Sequence, residues 1–382
     1  MISRGASRMS PQERLVAALD RQPCDQVPFS PVLDGYFISS LRPEMKERHE
    51  VDVQYELSGH VILRLPVIRL NTALWLWGEF LDPADPPPNV EHKVGLENGQ
   101  ISHSVATPVG ALTCRAHFAP ESPFIPWITE YRIHTVEDVK TFQWLVEHTD
   151  FELTTKSIKR QQEIIGDRGL AVAIAPSSPL AQMICEDIGM ETLTYLLADY
   201  PDEMNEMLST FHAKQIEMWK VMVEAPTDIF VIHDNLSSTT TSRAQYRRYD
   251  RRYVNDYADI VHAAGKKLYT HWCGRLTALA ADFDEARHDG IWEITPLPTG
   301  DADIPEARRT WAKHFTLKGG IDPTLFSGGT PAEMEAYVEE LLTQMQPDLR
   351  GFILGSGDAT PYGTPPESVL AAKAVAERFA VD

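Results

Sequence analysis

His271 and Cys273 stand two positions apart, and together they carry the most specific chemistry in the sequence. On an extended segment residues i and i+2 face the same side, so one imidazole nitrogen and one thiolate can meet a single ion. A nitrogen and sulfur pair suits zinc better than magnesium or calcium, which take oxygen ligands. By spacing, Glu293 is the first choice for a third ligand, because it lies 22 residues after His271 at the close of the next apolar run. The plainer alternatives are a cysteine buried as an inert core residue and a glutamate capping a helix.

His233-Asp234 follow the run Ile229-Phe230-Val231-Ile232 and form a candidate acid/base pair, since an aspartate can fix an imidazole tautomer or orient a substrate. The alternative is a polar loop after a strand. Ser356 and Asp358 follow Phe352-Ile353-Leu354 in the same way and are candidate substrate contacts. Tyr36, Phe37, Trp75, Trp77 and Trp272 are candidate walls of a substrate pocket, although single aromatic residues more often serve the core.

The elements that must position these groups can be read from the apolar runs and their punctuation. Ser10-Pro11-Gln12-Glu13 marks a helix start, with a stripe of Leu15, Val16, Ala18 and Leu19 behind it. The same cap pattern recurs at Thr135, Thr330 and Thr364. Val27–Val32, Leu170–Ala175, Ile229–Ile232, Lys267–Thr270, Ile291–Ile294, Phe315–Leu317 and Gly351–Leu354 read as buried parallel strands. From residue 160 onward strands alternate with helices and no hairpin intervenes, which predicts right-handed βαβ units. The expected fold is α/β: a (β/α)8 TIM barrel forming one domain over 1–382, with an N-terminal antiparallel β elaboration at about 37–134. In that elaboration Asn98-Gly99 is a hairpin turn between alternating strands. In such a barrel the reactive groups sit just after the strands, where the polar residues above fall.

Composition narrows the partners. Lys plus Arg number 35 and Asp plus Glu 55, a net charge of −20 that repels nucleic acid and anionic lipid. Four scattered cysteines and no long apolar window point to a reducing, cytoplasmic setting with no membrane span. No glycine-rich nucleotide loop occurs. Arg243, Arg247 and Arg251 form a basic helical row that is either solvated or a dock for an acidic protein.

Arg14–Leu19 with Asp25-Gln26-Val27-Pro28, then Thr107–Leu112, Thr270-His271-Trp272-Cys273-Gly274, Gly319-Gly320-Ile321-Asp322 and Gly355–Glu367, resemble in order and spacing the uroporphyrinogen decarboxylase-like superfamily. Within it the corrinoid-dependent methyltransferases of the O-demethylase branch are the most similar. That resemblance implies the barrel and a zinc held by the H-x-C pair plus a late cysteine, a position taken here by Ser356. It also implies a glutamate ligand resembling Glu293, with one coordination position left open. The activity implied is methyl transfer from a small methoxylated substrate, aromatic ones included, to a corrinoid carried by a separate partner protein. Asp259 and His262 are spaced wrongly to hold that corrinoid in this chain. His233 is then a proton donor to the departing oxygen. The rival within the family is a metal-independent decarboxylase of a small carboxylate, using Asp234 or His233. The stretch Ser30–Phe37 lacks the arginines that a porphyrinogen substrate requires. A non-catalytic barrel that binds a partner through the arginine row is the reading from another class.

Overall fold

In the computed structural model, which describes residues 9–72, 74, 86–119, 122–346 and 348–381, the apolar runs become strands because both faces of a parallel sheet are covered. In chain order the strands are β1 (Val61–Pro66), β2 (Ile68–Leu70), β3 (Glu91–Glu97), β4 (Gln100–Thr107), β5 (Gly110–Ala119), β6 (Ser122–Glu130) and β7 (Phe151–Leu153). There follow β8 (Gly169–Ala175), β9 (Ile229–Ile232), β10 (Lys267–His271), β11 (Gly290–Ile294), β12 (Thr316–Ile321) and β13 (Phe352–Ser356). The order β1-β8-β9-β10-β11-β12-β13 builds one parallel, curled sheet with helices in the crossovers.

Two differences from expectation have physical causes. β1 lies inside the stretch 37–134 assigned to the elaboration, and Arg64 interrupts the apolar run that would have revealed it. Val27–Val32, expected as the first strand, meets β13 only through the bridge Phe29 to Leu354, and the loop after β13 through the bridge Val32 to Ala359. Pro28 and Pro31 remove the amides a continuous ladder needs. Seven strands and this bridged segment are therefore what the described residues show, rather than eight full strands.

β3 to β6 form a four-stranded antiparallel sheet, turning at Asn98 and Gly99 (φ +50° and +77°) as expected. It packs Val105 and Cys114 against Leu145 of the helix Val136–Glu147. β2 and β7 pair antiparallel beside the main sheet. The capping boxes at Ser10, Thr135 and Thr330 are formed. Thr364 is no cap: Pro365 takes that position before the helix Pro366–Ala376 and offers no side-chain acceptor.

Alternate residues of neighbouring strands, Val172, Val231, Tyr269, Trp292 and Ile353, share one face of the sheet. Leu15, Ala18 and Leu19 of the helix Pro11–Leu19 pack against them. The apolar floor thus lies toward the strand starts, and the opposite end is left for polar groups. Val16, expected in that helix's apolar stripe, faces outward at 41% exposure. The row Arg243, Arg247 and Arg251 is consumed internally: Asp282 takes the first two at 2.6 and 2.7 Å, and Glu285 takes Arg251 at 2.8 Å. The row is thus tied to neighbouring acids within the fold.

Candidate active site

β10 ends at His271, and the chain continues extended to Cys273, so both face the interior while Trp272 faces outward. Trp272 accordingly packs behind the sheet against Tyr246, Phe283 and His288, and it does not line a pocket. His271 Nε2 is buried and has no hydrogen-bond partner among the described residues. Asp358 Oδ1 lies 3.6 Å away, from the loop after β13. Ligand atoms of His271, Cys273 and Asp358 all fall within 4.8 Å of one another. Burial, then the Asp358 carboxylate, push the Cys273 thiol above its ordinary range, so without a cation it keeps its proton.

Glu293, the third ligand expected from spacing, lies outside the group of side chains close enough to share an ion. Strict alternation would turn Trp292 and Glu293 to opposite faces, but the β11–β12 register shifts between Trp292 and Ile294, and Glu293 adopts φ +61°. This bulge turns the carboxylate inward. There Oε1 meets both Arg64 and Lys318 at 2.5 Å, and Oε2 meets His271 Nδ1 at 2.8 Å. Burial works to raise its pKa, yet Arg64, Lys318 and His271 outweigh burial and hold Glu293 ionised. With both oxygens engaged it has little left for an ion. Its bond to Nδ1 leaves Nε2 as the free lone pair, the arrangement in which carboxylates usually orient ligating histidines. Asp358, expected to touch substrate, takes the place among the candidate ligands that spacing gave to Glu293.

His233 stands at the end of β9 with its ring 4.8 Å from that of His271, edge to face. The ring is set deep in the mouth, yet solvent reaches it. Its sunken position, then His271 and Arg64, hold its pKa down, so it is neutral at pH 7. Asp234 points to the other side, is buried, and accepts the Ser178 amide at 2.6 Å. The two therefore do not form a histidine–carboxylate couple. Ser356 is buried and its hydroxyl accepts the Val32 amide at 2.9 Å, tying the last strand to the proline-interrupted segment. Phe37 is core. Tyr36 is half-buried with its ring 5.8 Å from Tyr362, close in sequence to Asp358, and so remains a wall candidate. Trp75 and Trp77 lie outside the described residues.

Sequence reasoning missed Arg64 and Lys318. Their signal was a lone cation inside an apolar strand, which burial tolerates only beside an anion. A cavity of about 520 Å³ lies at the opposite end, by the strand starts, with Lys266 and Lys267 already bonded to backbone carbonyls and, for Lys267, to Asp20.

A polar cluster at the strand ends of a curled parallel sheet defines a barrel-type enzyme site. The chain belongs to the uroporphyrinogen decarboxylase (URO-D) family, whose model matches residues 90–379. Among solved structures it is similar to a methyltransferase from Methanosarcina mazei, at 17% identity, TM-score 0.61, covering 97% of this chain and 99% of that one. A GH5-4 broad specificity endoglucanase from an uncultured bacterium matches far more loosely, at 10% identity, TM-score 0.33, covering 58% and 76%. No curated protein matches. No described helix is long and apolar enough to cross a membrane.

Proposed function

We propose that this protein is a zinc-dependent methyltransferase, moving a methyl group from a small methoxylated substrate to a corrinoid carried by a separate protein. The observation that carries this is the buried, unpartnered Nε2 of His271 facing a thiol and a carboxylate. A nitrogen, sulfur and oxygen set of this kind fits zinc, with a fourth position open. His271, Cys273 and Asp358 would hold the ion, and it would supply Lewis acidity to the oxygen that the methyl group leaves.

The chain's own residues do the rest. Glu293, fixed by Arg64 and Lys318, keeps the His271 ring aimed. His233, neutral beside it, offers a ring N–H as a hydrogen-bond donor to the departing oxygen and stabilises the charge that develops there as the carbon–oxygen bond breaks, the proton itself coming from water. Tyr36 and Tyr362 offer aromatic faces for the substrate.

The decarboxylase alternative is weakened by the same geometry. Arg64 and Lys318, the cations that could seat a carboxylate, are committed to Glu293. Zinc-loaded protein, a methoxylated aromatic and reduced cobalamin standing in for the partner should yield the free phenol. The His271→Ala and Cys273→Ala variants should not. Carbon dioxide release from a carboxylate by metal-free protein would favour the alternative instead.

A further inference from the structure

We propose that Asp234 and Asp250 form an acid pair holding one shared proton at neutral pH, a proton store behind the mouth that is separate from the His271–Cys273–Asp358 cluster. Both carboxyls are about 1% exposed. Both are anchored on one residue, Ser178, whose amide donates to Asp234 Oδ1 at 2.6 Å and whose hydroxyl donates to Asp250 Oδ2 at 3.3 Å. That leaves Asp234 Oδ2 and Asp250 Oδ1 buried, each without a hydrogen-bond partner among the described residues. Two orphaned acceptors at one site are satisfied together by a single proton between them, the arrangement in which like charges cannot both ionise.

No surrounding group makes a hydrogen bond to either free oxygen among the described residues. Arg251, next in sequence, turns away toward Glu285 and Asp282. On its own π-turn Asp250 faces Tyr246, and Tyr257 lies behind both carboxyls. Cys185 and the Trp272 indole face Asp234, and the Trp272 N–H falls short of hydrogen-bond geometry. Of the basic side chains, only His271 acts on Asp234, and weakly beside burial. Burial, and then the neighbouring Asp234, push Asp250 well above the carboxylate range, while burial raises Asp234 to about 6. Backbone geometry agrees: Tyr246–Asp250 is a π-turn, a distortion common where a side chain is re-aimed for function.

The pair is tested in zinc-free, full-length protein, so the result stands whether or not the methyltransferase reading does. Infrared difference spectra, wild type minus variant at neutral pH, should show one protonated-carboxyl band lost in Asp234→Asn and equally in Asp250→Asn, because each amide takes over the role of the protonated partner; the band of Glu186, which burial raises to about 8, is common to all three proteins and cancels. Loss in only one variant means a lone protonated acid, and loss in neither means two carboxylates; either overturns the proposal. Stability supplies a second readout. The folded pair binds more protons than the same two residues do in the unfolded chain, so its own contribution to stability falls as pH rises above about 4 until the pair has given up its proton. Asp250→Asn should escape this, its unfolding constant improving relative to wild type by up to about tenfold per pH unit across that range. A ratio that does not change with pH contradicts the shared proton.

Discussion

Glu293 shows how much one side chain can organise. It stands fully buried between two cations and an imidazole, so its charge is balanced only while all three stay. Glu293→Gln keeps the shape but leaves Arg64 and Lys318 without their anion, and should cost about 3–5 kcal/mol in denaturant unfolding. A loss under about 1 kcal/mol would mean that water reaches the two cations. At this scale the sequence was informative where alternation along a strand decides direction. His271 and Cys273 face one way because they are two apart, and the same rule, applied to Trp272, would have removed it from the pocket. It was uninformative where local backbone breaks the rule. Spacing favoured Glu293 as ligand because nothing in the residue types announces a bulge, and Asp358 arrives from a loop 85 positions further on. His233 was legible as a mouth residue, whereas Asp234 beside it was wrongly paired with it.

Between elements, the bulge on β11 requires room on β12, and glycine provides it. Gly319 has φ +135°, and a Cβ there would meet Ile294 O at 2.5 Å. Gly319→Ala should therefore push β12 from β11, destabilise by more than about 2 kcal/mol and lower zinc affinity together, read by unfolding and by metal titration. Unchanged affinity would separate the bulge from the site. A second tie joins Arg243 and Arg247 to Asp282, whose carboxyl those two guanidiniums hold well below its usual range against the opposing effect of burial. A depressed pKa gives stability that is present above the unfolded carboxyl's pKa of about 3.9 and is lost as pH falls through that value and below. Asp282→Asn should cost roughly 1–2 kcal/mol at pH 7, since both arginines are half exposed, and clearly less near pH 2, where the unfolded carboxyl is already protonated but the folded one still holds part of its charge. An equal cost at both values would refute the ion-pair account. Helix starts were legible because capping is local chemistry, and Thr364 failed only because Pro365 follows it. β1 was missed because Arg64, facing the interior, broke the apolar run that marks a buried strand.

Over the whole molecule, apolar side chains close the strand starts, and charged and ionisable ones gather at the strand ends. That polarity is what the alternating strand and helix order foretold, and it is why the family resemblance and the residue chemistry converge on the same end of the sheet. Less legible was the N-terminal third. There, prolines turn one strand into bridges and an antiparallel sheet of 91–130 is laid on a helix that follows it in sequence. The net charge of −20 coexists with a cationic pair at the centre, so surface charge gave no guide to the interior. The most direct measurement is metal content with X-ray absorption at the zinc edge. About one zinc per chain should be present, bound through one sulfur with nitrogen and oxygen neighbours, and it should be lost from a protein changed at both His271 and Cys273. No zinc in the wild-type protein, or an undiminished zinc complement in that double variant, would contradict the proposed site.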